Sequence, residues 1–120
     1  MGADSGSATV TCDGGRLHVA YDQRAEPIYD EVRAAFRELA AETGDRTWAI
    51  GKPFTVHQAG GCGVGTDASR GVVDHCGEVH GNPGLFVADG AALPAALSAP
   101  PSVTIAAWAH HVADGIAERA

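Results

Sequence analysis

The sequence is short of positive charge, of paired cysteines and of long apolar runs. Eight Lys and Arg stand against fifteen Asp and Glu, a formal net charge of −7. The basic residues form no cluster, and an acidic chain repels phosphate backbones, so no nucleic-acid partner is expected. No stretch approaches the roughly 18 consecutive apolar residues that a membrane-spanning helix needs, so no transmembrane segment is expected. The opening MGADSGSATV has neither the basic region nor the apolar run of a signal peptide. Gly6 stands where an N-myristoylation signal requires Ser or Thr. Cys12, Cys62 and Cys76 are odd in number. With no export signal this points to reduced thiols and a cytoplasmic setting, with export of a longer parent left open.

Several catalytic and metal signatures are also missing. DHCGEVH gathers His75, Cys76, Glu78 and His80, with Cys62 upstream. Structural zinc favours ligand pairs such as C-x(2-4)-C, and no such cysteine pair exists here. The expected reading is turn polars around Gly77, and no metal is expected. His110 and His111 are adjacent in a helical pattern, where neighbours point about 100° apart, so they do not readily share a ligand site. No serine sits in G-x-S-x-G, and no nucleophile has a visible partner. GGCGVGTDA is glycine-rich but lacks a strand before it, a helix after it and the G-x-G-x-x-G spacing of a dinucleotide loop.

What is present is ordered. SATVTCDGGRLHVAY predicts a β-hairpin turning at Asp13-Gly14-Gly15, with Val10 and Cys12 on one strand and Leu17, Val19 and Tyr21 on the other. EPIYDEVRAAFRELAAETG predicts a helix with an apolar stripe of Ile28, Val32, Ala35, Phe36 and Leu39. Glu26, Asp30 and Glu31 suit its positive end, and Gly44 is a stop. A short strand is expected at Phe54–Val56, and a tight hairpin with Val72-Val73 against Glu78-Val79. A buried strand at Leu85–Ala88 leads to Asp89-Gly90. AALPAALSAPP predicts an irregular loop, and Pro101 starts a last helix with Ile105, Trp108, Val112 and Ile116 on one side and Ser102 helping to satisfy its free amides.

Two features carry chemistry. His57 opens HQAGGCGVG, a loop that bends sharply or lets something approach its backbone. Strand, Asp89, Gly90, loop and Pro101-led helix form a candidate ligand cradle. There the carboxylate can accept sugar hydroxyls, Gly90 lets backbone meet a phosphate, and the helix start favours negative charge. Plain turn and cap chemistry is the competing reading.

These residues also carry a resemblance. His57-x-x-Gly60-Gly61 is followed by Val72-Val73-Asp74-x-x-Gly77-x-Val79-x-Gly81. Then come Leu85-Phe86-Val87-x-Asp89-Gly90-x-x-x-Pro94 and Pro101-Ser102-x-Thr104-Ile105-x-Ala107. In order and spacing, residues 57 to 117 resemble the C-terminal signature of the glucose–methanol–choline (GMC) oxidoreductases, nearest the cholesterol-oxidase-like branch. Residues 8 to 56 fit more loosely, as the end of a substrate-binding domain.

The resemblance implies an α+β partial fold: residues 1–56 as the tail of a substrate-binding domain, residues 57–120 as a return to a Rossmann-type FAD domain. It implies a FAD-dependent alcohol oxidase or dehydrogenase that turns an alcohol substrate into a carbonyl by hydride transfer to flavin. His57 matches the histidine that accepts the alcohol proton or holds the alcohol. Asp89 and Gly90 match positions that meet the FAD ribityl and pyrophosphate, and Pro101, Ser102 and Val103 match the helix start beneath the flavin. At Pro100 the family pattern has Asn or His, and proline offers neither a side-chain donor nor an N–H. Either His57 works without that partner, another residue replaces it, or activity is impaired.

Most of the FAD domain is absent from the sequence, so a partner is implied: the missing half, encoded upstream or on a separate chain. The isolated chain is expected to be incomplete and inactive, with Trp108, Val112 and Ile116 facing missing partners. The rival expectation is a non-catalytic remnant acting only as a binding or scaffold module.

Overall fold

The computed structural model describes residues 3–48, 54–97 and 99–119. Ser98 of the expected loop and Ala120 of the last helix lie outside the described residues. The chain divides into two compact units, Met1–Phe54 and Thr55–Ala120.

In the first unit, β1 (Thr9–Asp13) and β2 (Arg16–Ala20) pair antiparallel, with Val10 opposite Val19 and Cys12 opposite Leu17. Gly14 and Gly15 take φ of 54° and 77°, the two left-handed positions that a two-residue hairpin turn demands. Helix α1 (Ile28–Thr43) ends at Gly44, whose φ of 73° lets its N–H reach the Ala40 carbonyl. Asp30 and Glu31 lie in its first turn, as expected. Glu26 does not. It precedes the helix, is 4% exposed, and its carboxylate accepts from the Ser5 N–H, Ser5 Oγ and Ser7 Oγ at 2.9, 2.6 and 2.5 Å. The Ser5 hydroxyl above all, then that of Ser7, holds the Glu26 carboxyl below the usual carboxylate range.

The second unit is built of turns and one helix, α2 (Ser102–Ala117). Its segments meet at single residues: Val64 parallel to Val73, Val73 antiparallel to Val79, and Glu78 antiparallel to Phe86. The expected pairing of Val72-Val73 with Glu78-Val79 is therefore present, as one bridge. No strand forms at Phe54–Val56 or at Leu85–Ala88. Ahead of Leu85–Ala88, Gly77, Gly81 and Gly84 at positive φ turn the chain before a ladder can extend. Gly65 and Gly71 cross so closely that a Cβ on either would collide with the backbone of the other. The core is Val73, fully buried, with Val112 at 1% exposure, Ala92 and Leu93.

Helix α2 docks on this array. Trp108 Nε1 donates to the Val87 carbonyl at 2.9 Å, and His111 Nε2 meets the His75 carbonyl at 2.8 Å. Trp108 and Val112 thus find their partners inside this chain, contrary to expectation; Ile116 stays 41% exposed. The molecule is a mixed α/β fold of one hairpin and two α-helices among the described residues. No helix among them is long and apolar enough to cross a membrane.

Candidate functional site

His57 is half-buried at the entry to the glycine loop. Its own N–H donates to Thr55 Oγ1 at 2.9 Å, and Gln58 Nε2 donates to the Thr55 carbonyl at 3.1 Å. Gly60 and Gly61 follow with φ of 89° and 110°, backbone that side chains rarely adopt. The loop then pairs with a distant turn. The Gly60 N–H donates to the Gly90 carbonyl at 3.0 Å, and the Cys62 N–H to the Ala91 carbonyl at 2.8 Å. What approaches the glycine loop is the chain itself, at the residue that follows Asp89.

Asp89 begins a single 3-10 turn, Gly90–Ala92, and its Oδ1 accepts the Ala91 N–H at 2.9 Å. Gly90 is buried. A Cβ there would lie 2.7 Å from the Gln58 carbonyl oxygen and 3.1 Å from Ile105 Cδ1. The small residue at this position lets the loop of His57, the turn of Asp89 and the first turns of α2 meet. Spacing alone had offered a different reason, the approach of a phosphate.

Pro101 is buried and caps α2, and Ile105 N–H closes onto its carbonyl at 2.8 Å. Ser102 makes no capping bond, because Pro101 takes the cap position and leaves Ser102 inside the helix. Val103 is 79% exposed. The α2 start therefore has amides without a side-chain cap, beside an exposed apolar residue. Pro100 is also exposed.

The polar residues around Gly77 separate into different partnerships. His80 Nε2 meets the Gly65 carbonyl at 3.1 Å. Glu78 accepts from the Gly84 N–H at 2.7 Å and from Arg119 at 2.5 Å, and these hold its carboxyl below the usual range, the Gly84 amide first. His75, Cys76 and Asp74 stay together, with one donor atom each inside a 4.8 Å group. Asp74 Oδ1 accepts the Cys76 and Glu78 N–H groups at 2.8 and 3.0 Å. Desolvation pushes the Asp74 carboxyl up, but those two amides with the charges of His75 and Arg119 outweigh it, leaving a net downward shift. Asp74 was absent from the set singled out in the sequence. The run Asp-His-Cys lacks ligand spacing, and only the turn brings the three together.

The model of the family described as GMC oxidoreductase matches residues 18–109. Cholesterol oxidase of Mycobacterium tuberculosis (strain ATCC 25618 / H37Rv) is 46% identical over 89 residues, covering 72% of this chain and 15% of that protein. Cholesterol oxidase of Acinetobacter baumannii is 46% identical over 90 residues, 69% of this chain and 16% of that one. Long-chain-alcohol oxidase FAO3 of Arabidopsis thaliana is 34% identical over 110 residues, 92% and 14% respectively. The chain thus spans about 15% of the length of the cholesterol oxidases it matches. No solved structure gives a significant match. The match over most of the chain, with cholesterol oxidases at 46% identity, makes this chain a member of the GMC oxidoreductase family, of the cholesterol-oxidase-like kind.

Proposed function

We propose that this chain is the C-terminal, histidine-bearing part of a FAD-dependent oxidoreductase that converts an alcohol to a carbonyl. The observation that carries the reading is the pairing of Gly60 and Cys62 amides with the Gly90 and Ala91 carbonyls. It ties the His57 loop to the Asp89 turn, so a group held at one is held near the other. Residues 57–120 are read as the return to the FAD domain and residues 1–56 as the tail of the substrate-binding domain. The missing FAD-domain half is the implied partner, and a reducing, cytoplasmic setting goes with the three free cysteines.

The residues present suit FAD. Asp89 is exposed, and only its Oδ1 is committed to the turn. Asp89 can accept hydroxyl hydrogens of the ribityl chain. The α2 start, from Pro101 through Ser102 and Val103, offers uncapped amides that favour negative charge. Gly90 supports the geometry by letting Gln58 and Ile105 close on it. When bound, the flavin supplies the hydride acceptor. The imidazole of His57, which forms no hydrogen bond among the described residues, is available to take the proton of a substrate hydroxyl or to orient it. Proline at position 100 brings no side-chain donor of its own, so within this segment His57 is the residue assigned to the hydroxyl proton.

The test is a graft. The chain replaces the aligned segment of the M. tuberculosis cholesterol oxidase, and flavin absorbance and alcohol-dependent bleaching are followed. The graft binds flavin and turns over; His57→Ala keeps the flavin and lowers turnover by about 100-fold or more. Unchanged turnover in His57→Ala refutes the role of His57. A graft that folds without taking up flavin favours the binding or scaffold reading.

A further inference from the structure

Three consecutive side chains converge away from the site above. The Asp74 carboxylate, the His75 imidazole and the Cys76 thiol each bring one donor atom within 4.8 Å of the other two. We propose that Asp74, His75 and Cys76 form a binding site for a zinc-class divalent cation, with a fourth position left to water. Oxygen, nitrogen and sulfur donors in one set suit borderline-soft zinc rather than magnesium or calcium.

The backbone under the three is already fixed. Asp74 Oδ1 accepts two amides, the Gly77 N–H closes on the Asp74 carbonyl at 3.0 Å, and His111 holds the His75 carbonyl. A cation therefore orders three side chains and no backbone, which lowers the entropic cost of binding. Asp74 Oδ2 accepts no hydrogen bond among the described residues. A surface depression of about 250 Å³ lies beside Asp74, lined also by Glu78, His80 and Pro83 and not by His75 or Cys76. Tetrahedral zinc draws its donors to about 3.5 Å from one another, so no pair of the group needs to close by more than about 1.3 Å. The His75 side chain is exposed and can make that movement. Binding displaces the Cys76 thiol proton to solvent, and sulfur ligates as thiolate.

One charge opposes the site. Arg119 is hydrogen-bonded to Glu78, and Glu78 first, then Cys76, raise the proton affinity of its guanidinium. Its positive charge competes with a cation for the same sulfur.

The test uses the full chain, reduced and free of chelator, titrated with Co²⁺ and then Zn²⁺. The expected result is a near-ultraviolet sulfur-to-cobalt band that saturates stoichiometrically and is displaced by zinc. Cys76→Ser abolishes the band, His75→Ala weakens cobalt binding by at least about tenfold, and Arg119→Gln tightens it. Cys12→Ser and Cys62→Ser leave the band unchanged. Circular dichroism of each variant controls for folding, and the exposed His75 carries the test if Cys76→Ser fails to fold. No band with excess cobalt overturns the proposal, as does a band that survives Cys76→Ser or affinity that is unmoved in His75→Ala. None of these readouts involves flavin, so the outcome is separable from the oxidoreductase reading.

Discussion

Gly77 sits at φ 81°, and a Cβ there would lie 2.6 Å from Val112 Cγ2, 3.2 Å from the Val87 carbonyl oxygen and 3.3 Å from Trp108 Cζ2. Gly77→Ala adds both left-handed strain and overpacking against α2, and a loss of about 2–3 kcal/mol is expected in urea unfolding. The sequence identified Gly77 as a turn residue and Gly90 as a place of close approach. It did not say what fills the space beside either one, because the neighbours come from Val112 and Ile105, far along the chain. Glu26 misled for the same reason. Its position beside a helix start suggested a dipole partner, but its oxygens are taken by Ser5 and Ser7. Its folded pKa is lowered, so its stabilisation is complete above the ordinary glutamate value of 4.5 and is lost as pH falls through the lower folded value. Glu26→Gln is expected to flatten the acid limb of stability, read as thermal unfolding between about pH 6 and pH 3.

Elements with strong local codes were legible. Asp13-Gly14-Gly15 gave the hairpin its turn, and the four-residue spacing of Ile28, Val32 and Phe36 and of Trp108, Val112 and Ile116 marked the helices. The expected strands at Phe54–Val56 and Leu85–Ala88 did not form. An apolar run of three or four residues is compatible with an extended segment that pairs only once, as Phe86 does with Glu78. The docking of α2 was not legible either, because a carbonyl acceptor such as that of Val87 has no signature in sequence. Trp108→Phe removes the Nε1 bond while keeping most of the ring. A loss of about 1 kcal/mol is expected, with a changed near-ultraviolet circular dichroism spectrum.

Across the whole molecule, the second unit buries Val73 and Val112, while the described apolar residues of the first unit lie largely in solvent. Leu17 is 73% exposed, and Val10, Val19, Phe36 and Leu39 are all at least half exposed. Uncovered apolar surface of this extent drives association. Light scattering is expected to show concentration-dependent assembly of the isolated chain, reduced by Leu17→Lys together with Phe36→Glu. The sequence had placed uncovered surface at Trp108, Val112 and Ile116; of these Ile116 stays exposed, and the hairpin and α1 add more.

The crossing at Gly65 and Gly71 has one more consequence, for where new chain can be spliced in. The two backbones form a cinched neck that admits no side chain, and between them residues 66–70 bulge out, all exposed. Asp67 braces the bulge by accepting from Ser69, Arg70 and Gly71 amides. Beyond a closed neck, added length costs only about 0.6 kcal/mol per doubling of the loop. The tip at Ala68 is thus a place to insert an epitope or a fluorophore-labelling peptide, while neither glycine at the neck can be exchanged.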